Sequence, residues 1–279
     1  MHDLYDLINN RASCRSFLEK EIPDEVINKI LNAACKSPSS GGFQKYSIIK
    51  VKKDETKAEL AKLCRSQNFI GKAPVNLVFC IDFRRIIRIN EVIPAPCDEI
   101  NQFSEFMMAI VDTAICAQTL CLAAEAEGLG SVYIGNIIYT MDKVSEVLKL
   151  PQYVCPSIMI TLGYPKNQNK LSEKYDLDVI VHDEEYKDMN IDELMKHYKS
   201  KYKNWNMKMT DNFINKIYDT CYNLKGKEFA DRCKEYIINN GSISSYQYWF
   251  GYYYLQHEDF LDFDGYINYM KKQGFNWLK

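Results

Sequence analysis

Apolar positions recur along the chain with two periods, and their alternation outlines the architecture. Leu4, Leu7 and Ile8 mark a short first helix that ends near R-A-S-C-R (residues 11–15). Pro23 opens a second helix in the first turn, where proline is tolerated, and Asp24 and Glu25 complement its dipole. Val26, Ile27, Ile30, Leu31 and Ala34 carry the helical period on towards Pro38. Residues 46–51 predict a strand and 55–64 a helix. The run 75–81, apolar but for Asn76 and bounded by Pro74 and Asp82, predicts a strand covered on both faces. A long helix over 102–127 stops at Gly128, and strands at 131–134 and 154–162 flank a helix at 141–148.

Strands alternating with helices predict an α/β or α+β sandwich. No repeat of fixed period and no Ser/Gly-rich linker divides the chain. Beyond about residue 185, Lys, Asn and Tyr dominate, with helical patterns at 191–204, 211–239 and 244–272. The run Y-Q-Y-W-F-G-Y-Y-Y-L (residues 246–255) reads either as rings packing a helical tail or as a ligand or partner surface.

Composition narrows the class. A formal net charge of −2 over 279 residues, with Lys and Arg interspersed among Asp and Glu, argues against a nucleic-acid binder. None of the ten cysteines forms a C-x-x-C pair, and the four histidines (2, 182, 197, 257) cluster with none of them. Free thiols acting as small hydrophobes in a reducing cytoplasm are therefore expected, and no metal site. Residues 1–10 carry acids and lack a continuous apolar stretch, so no secretory signal is read there. The stretch 106–126 is long and apolar but contains Asp112 and Glu125, which favours a core or subunit-interface helix over a membrane span.

Three separated segments carry candidate chemistry. Arg11, Ser13 and Arg15 offer two guanidiniums and a hydroxyl at a spacing that suits a phosphate, or else they meet surface carboxylates. In S-P-S-S-G-G-F-Q (residues 37–44), Ser39, Ser40 and Gln44 offer polar groups, while Gly41 and Gly42 give either clearance for a ligand or a plain turn. G-L-G-S-V-Y-I-G-N (residues 128–136) is neither a dinucleotide fingerprint nor a Walker loop; its glycines suggest a backbone against a flat group, or a helix stop and a bulged strand.

In combination, R-x-S-x-R-x-F, S-S-x-x-F-Q, Q-T-L-C-L-A-A-E-A-E-G-L-G-S-V-Y-I-G, L-K-L-P and L-G-Y-P resemble the nitroreductase family, within it the oxygen-insensitive NADPH nitroreductase and flavin reductase group. The resemblance runs from residue 4 to about 187, and K-K-Q-G-F near the C-terminus matches as well. It implies an α+β sandwich with a central, mostly antiparallel sheet, assembled as an intertwined homodimer. It also implies a core over residues 1–187, with 188–279 a helical extension packing on it rather than an independent domain.

The resemblance further implies FMN as cofactor and NADPH or NADH as co-substrate in a cytoplasmic enzyme. That enzyme would reduce nitroaromatics, quinones or free flavins by ping-pong hydride transfer through flavin N5. No membrane or nucleic-acid partner and no catalytic side chain are implied. Arg11, Ser13 and Arg15 would hold the phosphate and ribityl chain, with Ala12 and Cys14 beside it by backbone. Ser39, Gln44 and Gln67 would come from the loops, and Tyr133, Ile134, Gly135 and Asn136 would pass along the ring. Lys174 would supply a cation. The chain departs from the group where Asn136 replaces a second glycine and where Ser172 and Lys174 replace a Lys-x-Arg pair. A flavin-binding storage or sensor protein is the alternative reading.

Overall fold

The computed structural model describes residues 3–97, 102–255 and 260–277. It divides into two compact units, residues 1–171 with 260–279 and residues 172–259.

The first unit is built on a sheet of β1 (Tyr46–Val51), β2 (Val75–Asp82), β3 (Gly130–Ile134) and β4 (Val154–Gly163), in the spatial order β1-β2-β4-β3. Every pairing in it is antiparallel. In β2 each residue is buried, because both faces are covered. Leu77 and Phe79 face one helix layer, Val78 and Cys80 the other. The register of β2 on β4 shifts between Phe79 and Cys80, where Pro156 lacks the N–H an unbroken ladder needs.

The helices of this unit are α1 (Leu4–Asn10), α2 (Asp24–Ala34), α3 (Asp54–Leu63), α4 (Asn68–Lys72), α5 (Arg84–Asn90), α6 (Phe103–Ala126) and α7 (Met141–Val147), with a last one at Phe263–Lys272. α2 and α6 pack on the Leu77 face, and α3 and α7 on the Val78 face. Phe275 closes one end of the core among Ile81, Phe83, Phe106 and Tyr269. α4 and α5 were not expected, since five and seven residues are too few to establish a period.

α6 is long and apolar enough to cross a membrane by composition alone. In this fold Asp112 and Thr113 lie buried on its inner side, and Phe103, Met107, Val111 and Ile115 form an exposed stripe four residues apart.

The second unit has its own core of Ile214, Ile217, Cys221, Ala230, Ile237 and Ile243. The single pattern expected over 211–239 is two helices, Asp211–Lys225 and Lys227–Asn240, because Gly226 sits at φ 82°, ψ 176°, outside helical space. The pattern expected over 244–272 is likewise broken. A capping box of Ser244 and Gln247 starts the helix Ser245–Gly251, and Asp262 caps a fresh start at Phe263. The aromatic run packs largely on itself, as in the Trp249–Tyr253 pair at 4.5 Å, while Tyr246, Phe250 and Tyr254 stay exposed.

All ten cysteines are free, and seven are buried. Burial pushes the Cys64 and Cys80 thiols up to about 12. In native protein at pH 8, a thiol reagent is expected to react fast with only Cys35, Cys97 and Cys233, the others appearing on denaturation.

Candidate functional site

The first and third sequence segments come together on the free side of β3. α1 ends at Asn10, and Arg11 leaves it in extended conformation at φ −65°, ψ 126°. Ser13 then forms a parallel bridge to Ser131, and the Cys14 N–H donates to the Ser131 carbonyl at 2.9 Å. Extended backbone sends alternate side chains to opposite sides. Ala12 and Cys14 accordingly point into the core, while Ser13 and Arg15 are exposed on the other side.

Arg11 is half-buried. Its guanidinium lies 5.8 Å above the Tyr133 ring, and one terminal nitrogen donates to Ser131 Oγ at 3.4 Å. Its Nε is buried and has no hydrogen-bond partner among the described residues. Burial raises the Glu125 carboxyl above its ordinary range, opposed by the nearby Arg11 charge. Burial also raises the Tyr133 phenol, whose hydroxyl donates to Gln118 Oε1 at 3.1 Å.

Beyond β3, Ile134 is buried and the chain enters a 3₁₀ turn, Gly135–Thr140. A Cβ on Gly135 would meet nothing within 4 Å, so this backbone borders open space. Asn136 follows with a buried Nδ2 that has no partner among the described residues. The other two glycines have local duties, which for Gly128 is the helix stop that was one of the two readings of this segment. A Cβ on Gly130 would sit 2.6 Å from that of Cys14, and Gly128 takes φ 73° to end α6.

The second segment is a 3₁₀ turn, Ser40–Gly42, held by α6. Ser40 N–H donates to Asp112 Oδ1 at 2.9 Å, and the Ser37 hydroxyl to Thr119 Oγ1 at 2.8 Å. Ser39 Oγ accepts the Gln44 N–H at 3.1 Å. Gln44, at φ 50°, turns its amide inward, where Nε2 donates to the Cys35 carbonyl at 3.0 Å. Gly41 at φ 59° and Gly42 at φ 70° are required by the backbone itself. Of the two readings of this pair, clearance for a ligand or a plain turn, the turn is the one these torsions support.

α6 thus serves both halves of the site. Asp112, Cys116 and Thr119 face the second segment, whereas Gln118, Cys121 and Glu125 face Arg11 and β3. Sequence reasoning did not place Asp112 at the site, although an acid in the middle of an apolar helix was the available signal. It also missed Arg85, which donates to the carbonyls of Gln44 and Tyr46 at 2.6 and 2.8 Å. Gln67 precedes α4 with its Nε2 on the Cys64 carbonyl at 2.7 Å, and Thr140 of the 3₁₀ turn reaches the Leu63 carbonyl at 3.5 Å. Lys174 lies exposed in the second unit, between Glu173, paired with Lys203 at 3.1 Å, and Tyr175, under Lys201 at 3.8 Å.

Known proteins resemble this sequence and share this fold. The nitroreductase family matches residues 8–164. The FMN reductase (NADPH) of Bacillus subtilis is 33% identical over 187 residues, 67% of this chain and 75% of that protein. The hypothetical oxidoreductase YcnD from the same organism superposes with a TM-score of 0.76 at 25% identity, covering 100% of both chains. The NADPH:FMN oxidoreductase of Vibrio harveyi, solved with NAD+, gives 0.66 at 32% identity, over 71% of this chain and 84% of that one. The chain belongs to the nitroreductase family of FMN-dependent oxidoreductases.

Proposed function

We propose that this protein is an NAD(P)H-dependent oxidoreductase that binds FMN along Arg11–Arg15 and the β3 exit, and that it works as a homodimer. Bound FMN supplies hydride chemistry, accepting electrons from a nicotinamide and passing them to a flat acceptor such as a nitroaromatic, a quinone or free flavin. The observation that carries the reading is the bridge of Ser13 to Ser131, which fastens the segment bearing the exposed Ser13 and Arg15 side chains to β3, the strand that runs on into the open backbone of Gly135. The residues present fit the group. Arg11 Nε and Asn136 Nδ2 are buried donors with unused capacity, and Gly135 leaves room for a ring.

In this reading Arg11, Ser13 and Arg15 bind the phosphate and ribityl chain. Ser39 and Gln67 lie on loops bordering the site, and Gln44 contributes by shaping its loop. Tyr133, Ile134, Gly135 and Asn136 orient the ring, with backbone N–H groups available to the flavin edge. Purified protein is expected to be yellow and to bleach anaerobically on adding NADH or NADPH, followed at the flavin band. Bound FMN that stays oxidised in excess of both nicotinamides would sink the reductase reading.

The exposed stripe Phe103, Met107, Val111 and Ile115 on α6 supports the dimer, because a contiguous apolar face on one long helix marks an association surface. Light scattering is expected to give twice the 32.6 kDa chain mass. Val111→Asp should shift the protein towards monomer by placing a charge in the centre of the stripe. A monomeric parent protein overturns this part.

A further inference from the structure

Two of the cysteines sit where the candidate cofactor loop is fastened. Cys35 is exposed and caps the C-terminus of α2, two residues before Ser37. Cys116 is fully buried in the middle of α6, with Asp112 four residues before it and Thr119 three after it, the two residues that hold the loop. The Cys116 thiol donates to the carbonyl of Ala34 at 3.4 Å, beside Cys35 in the chain. That contact sets the Cys116 thiol against the residue preceding Cys35, and Cys35 and Tyr46 are the groups that act on it electrostatically. Gln44 closes the ring of contacts, its Nε2 donating to the Cys35 carbonyl at 3.0 Å and to the Tyr46 hydroxyl at 3.3 Å. Neither cysteine has a part in the proposed reaction.

We propose that Cys35 and Cys116 form a peroxide-oxidisable thiol pair whose disulfide loosens the Ser37–Gln44 loop. The pair combines one thiol that meets solvent with one shielded from it, an arrangement that suits an attacking and a resolving cysteine. Of the other neighbouring sulfurs, Cys80 and Cys155 are both wholly buried, and Cys221 and Cys233 belong to the second unit and hold no part of the loop.

The oxidant is hydrogen peroxide. The sulfur of Cys35 attacks one peroxide oxygen, the O–O bond breaks, and a sulfenic acid forms as water leaves with the thiol proton. The sulfur of Cys116 then attacks the Cys35 sulfur. The S–S bond forms, the S–O bond breaks, and the departing hydroxide takes the Cys116 proton as a second water. Two thiols thereby give up two electrons and two protons, and the peroxide is reduced to two waters. Burial holds the Cys116 thiol up at about 11, so it stays protonated until the sulfenic acid beside it supplies a leaving group.

Drawing Cys35 onto α6 moves the carbonyl that Gln44 holds, and with it the loop carrying Ser39. That second half of the inference rests on the reading of this loop as one wall of the FMN site; the disulfide itself does not.

The test titrates full-length protein with hydrogen peroxide up to about two equivalents, followed by peptide mapping without reductant and by FMN titration. The expected results are a Cys35–Cys116 cross-linked peptide two hydrogens lighter than its reduced parts, and FMN binding about tenfold weaker, the cost of one lost hydrogen bond in the loop. Dithiothreitol should reverse both. In Cys116→Ser, dimedone should trap the sulfenic acid on Cys35; in Cys35→Ser, peroxide should leave FMN affinity unchanged. Absence of the cross-link, a cross-link with unaltered FMN affinity, or a Cys116→Ser variant with no dimedone adduct on Cys35 each overturns the proposal. Reduced protein that binds no FMN instead overturns the cofactor reading, while peptide mapping still judges the thiol pair.

Discussion

Replacing Arg15 with alanine is expected to weaken FMN binding by about 10- to 100-fold while leaving the stability of the fold within about 0.5 kcal/mol of the parent. The two halves of that expectation have different origins. Arg15 is exposed and forms no ion pair among the described residues, so its removal costs the fold little. It and Ser13 are exposed while Cys14 between them is buried, so both lie on one side of the segment bridged to β3, where a phosphate would take a charge-assisted bond. Such a bond contributes about 1.5–3 kcal/mol, which sets the range. Riboflavin, which has no phosphate, is the control: its affinity should be the same for Arg15→Ala and parent. Fluorescence titration of apoprotein with both ligands measures this. An equal loss for riboflavin and FMN, or less than a twofold loss for FMN, removes Arg15 from the phosphate site. Arg11 would give a less clean result, since its guanidinium also packs over Tyr133 and bonds Ser131.

Much of the first unit could be read from its residues because periodicity and burial agree there. The run Val75–Ile81 is apolar but for Asn76 because helices cover both faces of β2, and Gly128 ends α6 through its own positive φ. The same reasoning failed at residues 211–239, where the apolar period continues smoothly across Gly226 although the backbone does not. It is the torsion of one residue that decides this, and a pattern of side chains does not register it. The site divides the same way. Arg11, Ser13 and Arg15 declare their chemistry through residue type, but the partner of the Ser40 N–H is Asp112, 72 residues away, and only the packing of α6 against the loop brings them together. Gln44 was legible as a polar group on the loop; that its amide faces inward follows from a positive φ and the Cys35 carbonyl, neither of which composition reveals.

The other large effect lies just past that loop, where Glu105→Ala is expected to destabilise the protein by about 3 kcal/mol. Lys45 is only 4% exposed and its ammonium pairs with Glu105, whose side chain is 30% exposed. Deleting the glutamate strands a buried cation. Deleting the lysine leaves an acid that water already reaches. Lys45→Met should therefore cost less, about 1 kcal/mol, and Lys45→Met with Glu105→Leu should recover most of the loss by replacing the pair with apolar packing. The position amplifies the consequence for the site. The Lys45 carbonyl accepts the Asp82 N–H at 3.0 Å, and Arg85 clamps the carbonyls on either side of it, so this residue sets how the chain leaves the loop and enters β1. Urea unfolding of the three variants, with FMN affinity measured in parallel, decides the matter. A Glu105→Ala protein no less stable than Lys45→Met would mean that the Lys45 charge is satisfied by groups other than Glu105.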